Sequence, residues 1–232
     1  MNQRMYGLGS RRSVIREIFE YGKKRAAEVG ADKVFDFSLG NPSVQPPQIV
    51  EDTLVGLLRE EDATALHGYT SAQGDLSVRR AIAEYIAATH GVKADPDLIY
   101  MTCGAAASLT ITLSALCEKG DEVITFAPFF TEYRVFTETA GAKLVELASD
   151  PETFQIDFPR LEKAFTEKTA AVLVNSPNNP SGVVYSEETV KKLAALLARK
   201  SAEYGKTIYL VTDEPYRELV YGGVKVPYLT AY

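Results

Sequence analysis

Short apolar runs alternate with stretches of helical periodicity along the second half of the chain. The apolar runs are rich in β-branched residues and predict buried strands at 98–102, 123–126, 144–147, 171–175 and 208–212. Most of the stretches between them repeat apolar residues at helical spacing and predict helices at 105–118, 130–140, 158–166 and 187–204. Strand alternating with helix predicts the α/β class, with three αβα layers and a mostly parallel sheet covered on both faces.

The first part of the chain is less regular. Its apolar spacing predicts helices at 10–29, 48–60 and 76–90, with Ser10 as the N-cap of the first, and a short strand at 34–37. Glycine and proline residues break the chain between 40 and 47. We therefore expect an N-terminal arm over 1–45 and a main domain over 46–232.

Composition narrows the function classes. Hydrophobic residues make up 46% of the chain and the formal net charge is −6, so we expect a globular protein without a nucleic-acid or anionic membrane partner. No apolar run approaches the length of a membrane span. The chain has only two cysteines, which predicts a reducing, cytoplasmic compartment. The cysteines form no CxxC pair and only two histidines are present, so no metal site is expected.

A run of small residues, Gly104–Ser108, joins a predicted strand to a predicted helix. Small residues at a helix start let backbone N–H groups approach an anion, and the helix dipole favours negative charge there. Taken alone, the run is more typical of close helix–strand packing. Neither a Walker loop nor a Rossmann glycine fingerprint is present.

Other predicted strands also end in chemically distinctive residues. Asp213 and Tyr216 follow the last strand, Asn179 lies in a proline-rich loop, and Phe129 and Phe130 follow another strand. In parallel sheets, ligands bind beyond the carboxyl ends of the strands. Each residue alone has an ordinary interpretation, as a turn aspartate, a tight turn or a core aromatic.

Together these motifs resemble one family more specifically than any of them does alone. The segment 179–182, Asn-Pro-Ser-Gly, followed about thirty residues later by Asp213-x-x-Tyr216, resembles the large domain of the class I/II aminotransferases. These are fold-type-I enzymes that use pyridoxal 5′-phosphate. Further similar segments occur in the same order: Leu39-Gly40-Asn41-Pro42, Tyr69-x-x-x-x-Gly74 with Arg79 after it, and Thr102-Cys103-Gly104-Ala105.

The resemblance implies a cofactor site in this chain. The backbone N–H groups of Ala105 and Ala106, after Gly104, would hold the cofactor phosphate. Phe130, rather than Phe129, would stack on the pyridine ring. Asp213 would pair with the protonated ring nitrogen and make the ring an electron sink.

The resemblance implies four further roles. Asn179 and Tyr216 would donate hydrogen bonds to the 3′-oxygen of the ring, so that Tyr216 counts with Asp213 as catalytic. Tyr69 would reach the cofactor phosphate of the neighbouring subunit in a homodimer. Gly40 would lie, with Asn179, near the substrate carboxylate.

One departure from the family pattern is large. The Schiff-base lysine of the family lies a few tens of residues beyond the aspartate, whereas the only lysine after Asp213 is Lys225, in a glycine turn. We interpret Lys225 as a surface lysine. The arginine that binds the substrate α-carboxylate is also missing. The sequence is therefore expected to contain the arm and part of the small domain, 1–45, and a large cofactor-binding domain, 46–232, that is incomplete at its C-terminal end.

The resemblance predicts an aminotransferase that moves an amino group between an L-amino acid and a 2-oxo acid. The cofactor motifs do not separate this activity from another fold-type-I reaction, such as that of a lyase, decarboxylase or synthase. A non-catalytic cofactor-binding or dimerisation module is a third alternative, because it would not need the lysine. The 232 residues alone are expected to be inactive.

Overall fold

The computed structural model of the chain describes residues 1, 3–10, 14–38, 40 and 44–232. They divide into two compact units, Met1–Tyr69 and Thr70–Tyr232. In this part of the chain, no helix has the length and apolar character that crossing a membrane requires. The boundary expected from the sequence, between the arm (1–45) and the main domain (46–232), stays a prediction.

The first unit is helical in its described part. Its helices are α1 (Gln3–Ser10), α2 (Val14–Val29), α3 (Gln48–Glu60) and α4 (Ala63–Leu66), with a 3-10 turn at Ala31–Lys33. Ser10 is the last residue of α1, so its predicted role as an N-cap is wrong. The predicted strand at 34–37 is also wrong. Val34 is extended, Phe35 and Phe37 are exposed, and no neighbouring strand pairs with this segment among the described residues.

The second unit contains the sheet. Its helices are α5 (Leu76–His90), α6 (Ala105–Leu116), α7 (Glu132–Thr139), α8 (Phe158–Ala164) and α9 (Glu187–Tyr204). Its strands are β1 (Glu122–Ala127), β2 (Lys143–Ala148), β3 (Thr169–Asn175) and β4 (Tyr209–Asp213). Within the described ranges the sheet has four strands in the order β2-β1-β3-β4, and each pair is parallel. The predicted α/β class is confirmed.

Side-chain alternation along the strands builds a core on each face of the sheet. In β3, Val172 and Val174 pack with residues of α8 and α9, whereas Ala171 and Leu173 pack with residues of α6 and α7. Successive strand residues point to opposite faces of the sheet, so an apolar run such as 170–174 requires helices on both faces. This is the three-layer αβα arrangement predicted from the sequence.

The predicted strand at 98–102 does not form. A 3-10 turn at Pro96–Leu98 occupies its start, and the Asp95 side chain caps that turn by accepting a hydrogen bond from the Asp97 N–H at 2.9 Å. Leu98 and Tyr100 are exposed. The backbone of Met101 bonds to Gln73 at 2.9 Å rather than to a sheet strand. The apolar run is therefore a largely exposed segment, bonded to the Gln73 backbone, that leads into α6.

Candidate active site

The carboxyl ends of β1, β3 and β4 meet the N-terminus of α6 at one edge of the sheet. A cavity of about 230 Å³ lies there. Its walls are formed by Ala105, Ala106, Leu109, Phe130, Phe136, Asn175, Asn179, Asp213, Pro215 and Tyr216. Six residues that the sequence singled out therefore come together: Ala105, Ala106, Phe130, Asn179, Asp213 and Tyr216.

The first turn of α6 forms one end of the cavity. Gly104 precedes the helix with φ 97° and ψ 168°, a conformation that is essentially restricted to glycine. The N–H groups of Ala105 and Ala106 have no acceptor within the helix, because they belong to its first turn. No acidic side chain lies in that turn. A 2.6 Å hydrogen bond between the hydroxyls of Thr102 and Ser108 joins the residues before the helix to its first turn.

The carboxylate of Asp213 lies at the end of β4. Its Oδ2 accepts a 2.7 Å hydrogen bond from the Tyr133 hydroxyl, and its backbone carbonyl accepts a 2.8 Å bond from the Asn175 amide. Its Oδ1 has no hydrogen-bond partner among the described residues. One carboxylate oxygen is thus held by the protein, and the other is available to a donor in the cavity.

Asn179 and Tyr216 form a polar pair on the same wall. The Asn179 side-chain amide lies 3.3 Å from the Tyr216 hydroxyl, and the Asn179 backbone N–H donates to Asn175 Oδ1 at 2.6 Å. The loop that carries Asn179 is held by Asn178, whose side-chain oxygen accepts hydrogen bonds from the backbone and hydroxyl of Ser181. The pair therefore presents two donors, Asn179 from this loop and Tyr216 from the turn after β4.

Two residues that sequence reasoning missed organise this site. Asn175 is the last residue of β3 and pairs in register with Asp213, so one side chain ties the ends of two strands together. Tyr133 lies on the first turn of α7, three residues after Phe130. The signal for Asn175 was a polar residue at the carboxyl end of a buried strand. Tyr133 offered no sequence signal, because its contact spans 80 positions.

Phe129 and Phe130 lie differently. Phe130 lines the cavity, and its ring meets Tyr133 edge to face at 5.7 Å between centroids. Phe129 does not line the cavity, and its ring is nearly parallel to that of Tyr133. The preference for Phe130 as the stacking residue agrees with this placement.

The remaining predicted site residues lie outside the cavity wall. Gly104 is adjacent to it at the start of α6. Gly40 and Tyr69 belong to the first compact unit, where Tyr69 is fully exposed and a Cβ at Gly40 would meet no atom within 4 Å. Leu39, Asn41 and Pro42, which carry the rest of that motif, lie outside the described residues. Lys225 is exposed, as expected of a surface lysine.

The donor set fits a phosphorylated heteroaromatic ring with a protonated nitrogen. The α6 N-terminus suits the phosphate, Phe130 provides an aromatic face, and the free oxygen of Asp213 suits a cationic N–H. Asn179 and Tyr216 suit a ring oxygen. No group of His, Cys, Asp or Glu side chains that could hold a metal ion occurs in the described part of the chain.

A parallel αβα sheet with this cavity at its carboxyl edge is the arrangement in which α/β domains bind their ligands. Residues 32–230 match the family "Aminotransferase class I and II". The chain belongs to this family, whose members depend on pyridoxal 5′-phosphate.

Several individual proteins are similar to this chain. A crystal structure of an aminotransferase from Eubacterium rectale is 58% identical with a TM-score of 0.97, and the match covers 100% of this chain and 58% of that one. A probable aspartate/prephenate aminotransferase of Aquifex aeolicus is 31% identical over 83% of this chain and 46% of its own length. A probable aspartate aminotransferase of Methanocaldococcus jannaschii is 31% identical over 90% of this chain and 51% of its own length. The chain thus spans about half the length of these two curated relatives.

Proposed function

We propose that this chain supplies most of the cofactor site of a pyridoxal 5′-phosphate-dependent aminotransferase. The reaction would move an amino group between an L-amino acid and a 2-oxo acid. The observation that carries the proposal is the convergence of an aromatic face, a half-free carboxylate and a helix N-terminus in one cavity. When bound, the cofactor supplies an electron sink for the electron pair left on the substrate α-carbon.

Each residue contributes a binding or orienting step to this proposal. The N–H groups of Ala105 and Ala106 bind the phosphate, and Phe130 holds the ring plane. Asp213 keeps the proton on the ring nitrogen by charge pairing. Asn179 and Tyr216 donate hydrogen bonds to the ring oxygen.

We also propose that the whole protein is a cytoplasmic homodimer. In the assembly, Tyr69 of one chain donates a hydrogen bond to the phosphate held by the other, and Gly40 leaves room for the substrate carboxylate. The full exposure of Tyr69 supports a role outside its own unit. Two free cysteines, Cys103 and Cys117, support a reducing compartment.

Replacing Asp213 tests the proposal. In the protein expressed from its complete reading frame, Asp213→Ala should lower the transamination rate by at least about 100-fold, because the ring nitrogen loses its charge partner. The 232-residue chain gives a second readout. Its affinity for pyridoxal 5′-phosphate, measured by absorbance titration, should fall by about tenfold in Asp213→Asn.

Asp121→Asn is the matched control. Asp121 precedes β1 at the opposite end of the sheet and accepts one backbone hydrogen bond, from Glu118 at 2.8 Å. This variant should bind pyridoxal 5′-phosphate as the wild type does. An Asp213→Ala enzyme within about tenfold of the wild-type rate, about 1.4 kcal/mol, would contradict the assigned role.

A further inference from the structure

We infer that Tyr133 is a positioning residue for the cofactor ring, acting through Asp213. By binding Oδ2, its hydroxyl orients the carboxylate so that Oδ1 is left for the ring nitrogen. The inference rests on the cofactor site proposed above and adds to it a residue that would not touch the cofactor.

The Tyr133 hydroxyl is held in place from several sides. The side chain is completely buried, and the 2.7 Å bond joins α7 to the end of β4. The ring of Tyr133 packs against Phe129 at 6.4 Å and against Phe130 at 5.7 Å between centroids. Because a buried, packed ring has few rotamers available, the direction of its hydroxyl is fixed by the fold.

The chemistry makes Tyr133 a neutral donor. Burial, followed by the hydrogen bond and the charge of Asp213, raises the pKa of the Tyr133 hydroxyl well above its ordinary value. The phenol therefore stays protonated at physiological pH and always donates. A donor without charge fixes the carboxylate and leaves its full negative charge to attract a cation.

No competing cation is in place. Among the residues that the structure describes, no Lys, Arg or His forms an ion pair with Asp213. The partner of the second oxygen is thus left to the ligand. In the proposed site that partner is the protonated ring nitrogen.

The test compares two ligands on the 232-residue chain. One is pyridoxal 5′-phosphate, and the other is its carbocyclic analogue, in which C–H replaces the ring nitrogen. Tyr133→Phe should weaken binding of pyridoxal 5′-phosphate by roughly tenfold and binding of the analogue by less than about twofold. A purely structural role would weaken both ligands equally.

Tyr185→Phe is the matched control. Tyr185 is also buried, lies near the same internal gap as Tyr133, and has its pKa raised by burial alone. Its loss of a hydroxyl should leave the ratio of the two affinities unchanged. Tyr133→His keeps an N–H donor and should recover at least about half of the lost discrimination, expressed as free energy.

The outcomes separate the two claims. If the wild-type chain does not discriminate between the ligands, the pairing of Asp213 with the ring nitrogen fails, and this inference fails with it. If the wild type discriminates and Tyr133→Phe does so to the same extent, only the role of Tyr133 is overturned. Should Tyr133→Phe lose its cooperative urea transition, Tyr133→His decides. A Tyr133→His chain that keeps at least about half of the wild-type discrimination, expressed as free energy, supports the inference, and a smaller discrimination contradicts it if Tyr185→Phe folds normally.

Discussion

Gly104 is the residue on which the proposed anion-binding turn depends. Its φ of 97° and ψ of 168° lie in a region that L side chains hardly populate, although a Cβ there would meet no atom within 4 Å. The constraint is therefore one of backbone conformation and not of space. A different backbone angle at Gly104 would turn the N–H groups of Ala105 and Ala106 away from the cavity.

We expect Gly104→Ala to raise the dissociation constant of pyridoxal 5′-phosphate by at least about tenfold. The alanine must either adopt a conformation that costs about 1–3 kcal/mol or rotate the turn. Gly120→Ala is the control, because Gly120 also has a positive φ (95°) and free space but lies in the loop before β1. That variant should lose stability in urea while binding the ligand within about twofold of wild type. Equal binding by both variants would contradict a role for the turn.

The segment after β4 contains no strand or α-helix, only a 3-10 turn at Leu229–Ala231, but its side chains fix its position. The side chain of Arg217 is largely buried, bonds to Glu214, and donates to the backbone carbonyls of Val226 at 3.2 Å and Pro227 at 3.1 Å. Its guanidinium lies 4.8 Å from the ring centroid of Tyr228. Since Glu214 and Arg217 are the neighbours of Asp213 and Tyr216, this clamp holds the turn that presents both cavity residues.

Side chains of the same segment also contact helix α5. The ring of Tyr228 is nearly parallel to that of His90, the last residue of α5, with 4.6 Å between centroids. Tyr85 of α5 donates a 3.0 Å hydrogen bond to Glu218. A chain stretch with no strand or α-helix is thus attached to the body of the unit by side chains.

Arg217→Gln should loosen this segment. Loss of a buried charged hydrogen bond costs about 1.5–3 kcal/mol, so chymotryptic cleavage after Tyr228 should accelerate by roughly tenfold or more. Cleavage after the exposed Tyr221 provides an internal reference. Arg199→Gln removes an exposed ion pair with Glu162 and should leave both rates nearly unchanged. Equal acceleration in the two variants would show that the clamp is not specific.

At the scale of the whole molecule, the first unit exposes much apolar surface. Exposed large side chains include Ile49, Leu54 and Leu58 on helix α3, and Tyr69 is fully exposed at the end of the unit. Side chains of this kind are commonly covered in an assembly. This agrees with the proposal that the working protein is a two-fold dimer whose sites are shared between chains.

Mixing variants tests the sharing. A Tyr69→Phe chain and an Asp213→Ala chain, each expressed from the complete reading frame, should both be weakly active alone. Their heterodimer should contain one intact site if Tyr69 acts across the interface, because the Asp213 of one chain then meets the Tyr69 of the other. After random exchange of equal amounts, half of the dimers are heterodimers with one of two sites intact, so recovery towards about a quarter of the wild-type activity is expected. Mixtures that exchange subunits but stay inactive would place Tyr69 in the site of its own chain, and a fully active Tyr69→Phe chain would place it outside both sites.

Much of the fold follows from local sequence pattern. The apolar runs at 123–126, 144–147 and 171–175 became strands, and the helices predicted at 48–60, 76–90 and 187–204 have those bounds. Periodicity reports which faces are buried, so it is informative wherever an element is covered on a definite side. The run at 98–102 misled because an apolar run does not show whether a neighbouring strand is available for backbone pairing, and here Leu98 and Tyr100 are exposed.

Some features of the candidate site could likewise be recognised from the sequence, and others could not. Gly104, Asn179, Asp213 and Tyr216 could be recognised from motif and order along the chain, because each lies just after a predicted buried run or in a loop with a distinctive sequence. The contact of Tyr133 with Asp213 and that of Asn175 with Asp213 were decided only by tertiary structure. They join residues 80 and 38 positions apart, and local periodicity carries no information on strand order or on which side chains meet at a sheet edge.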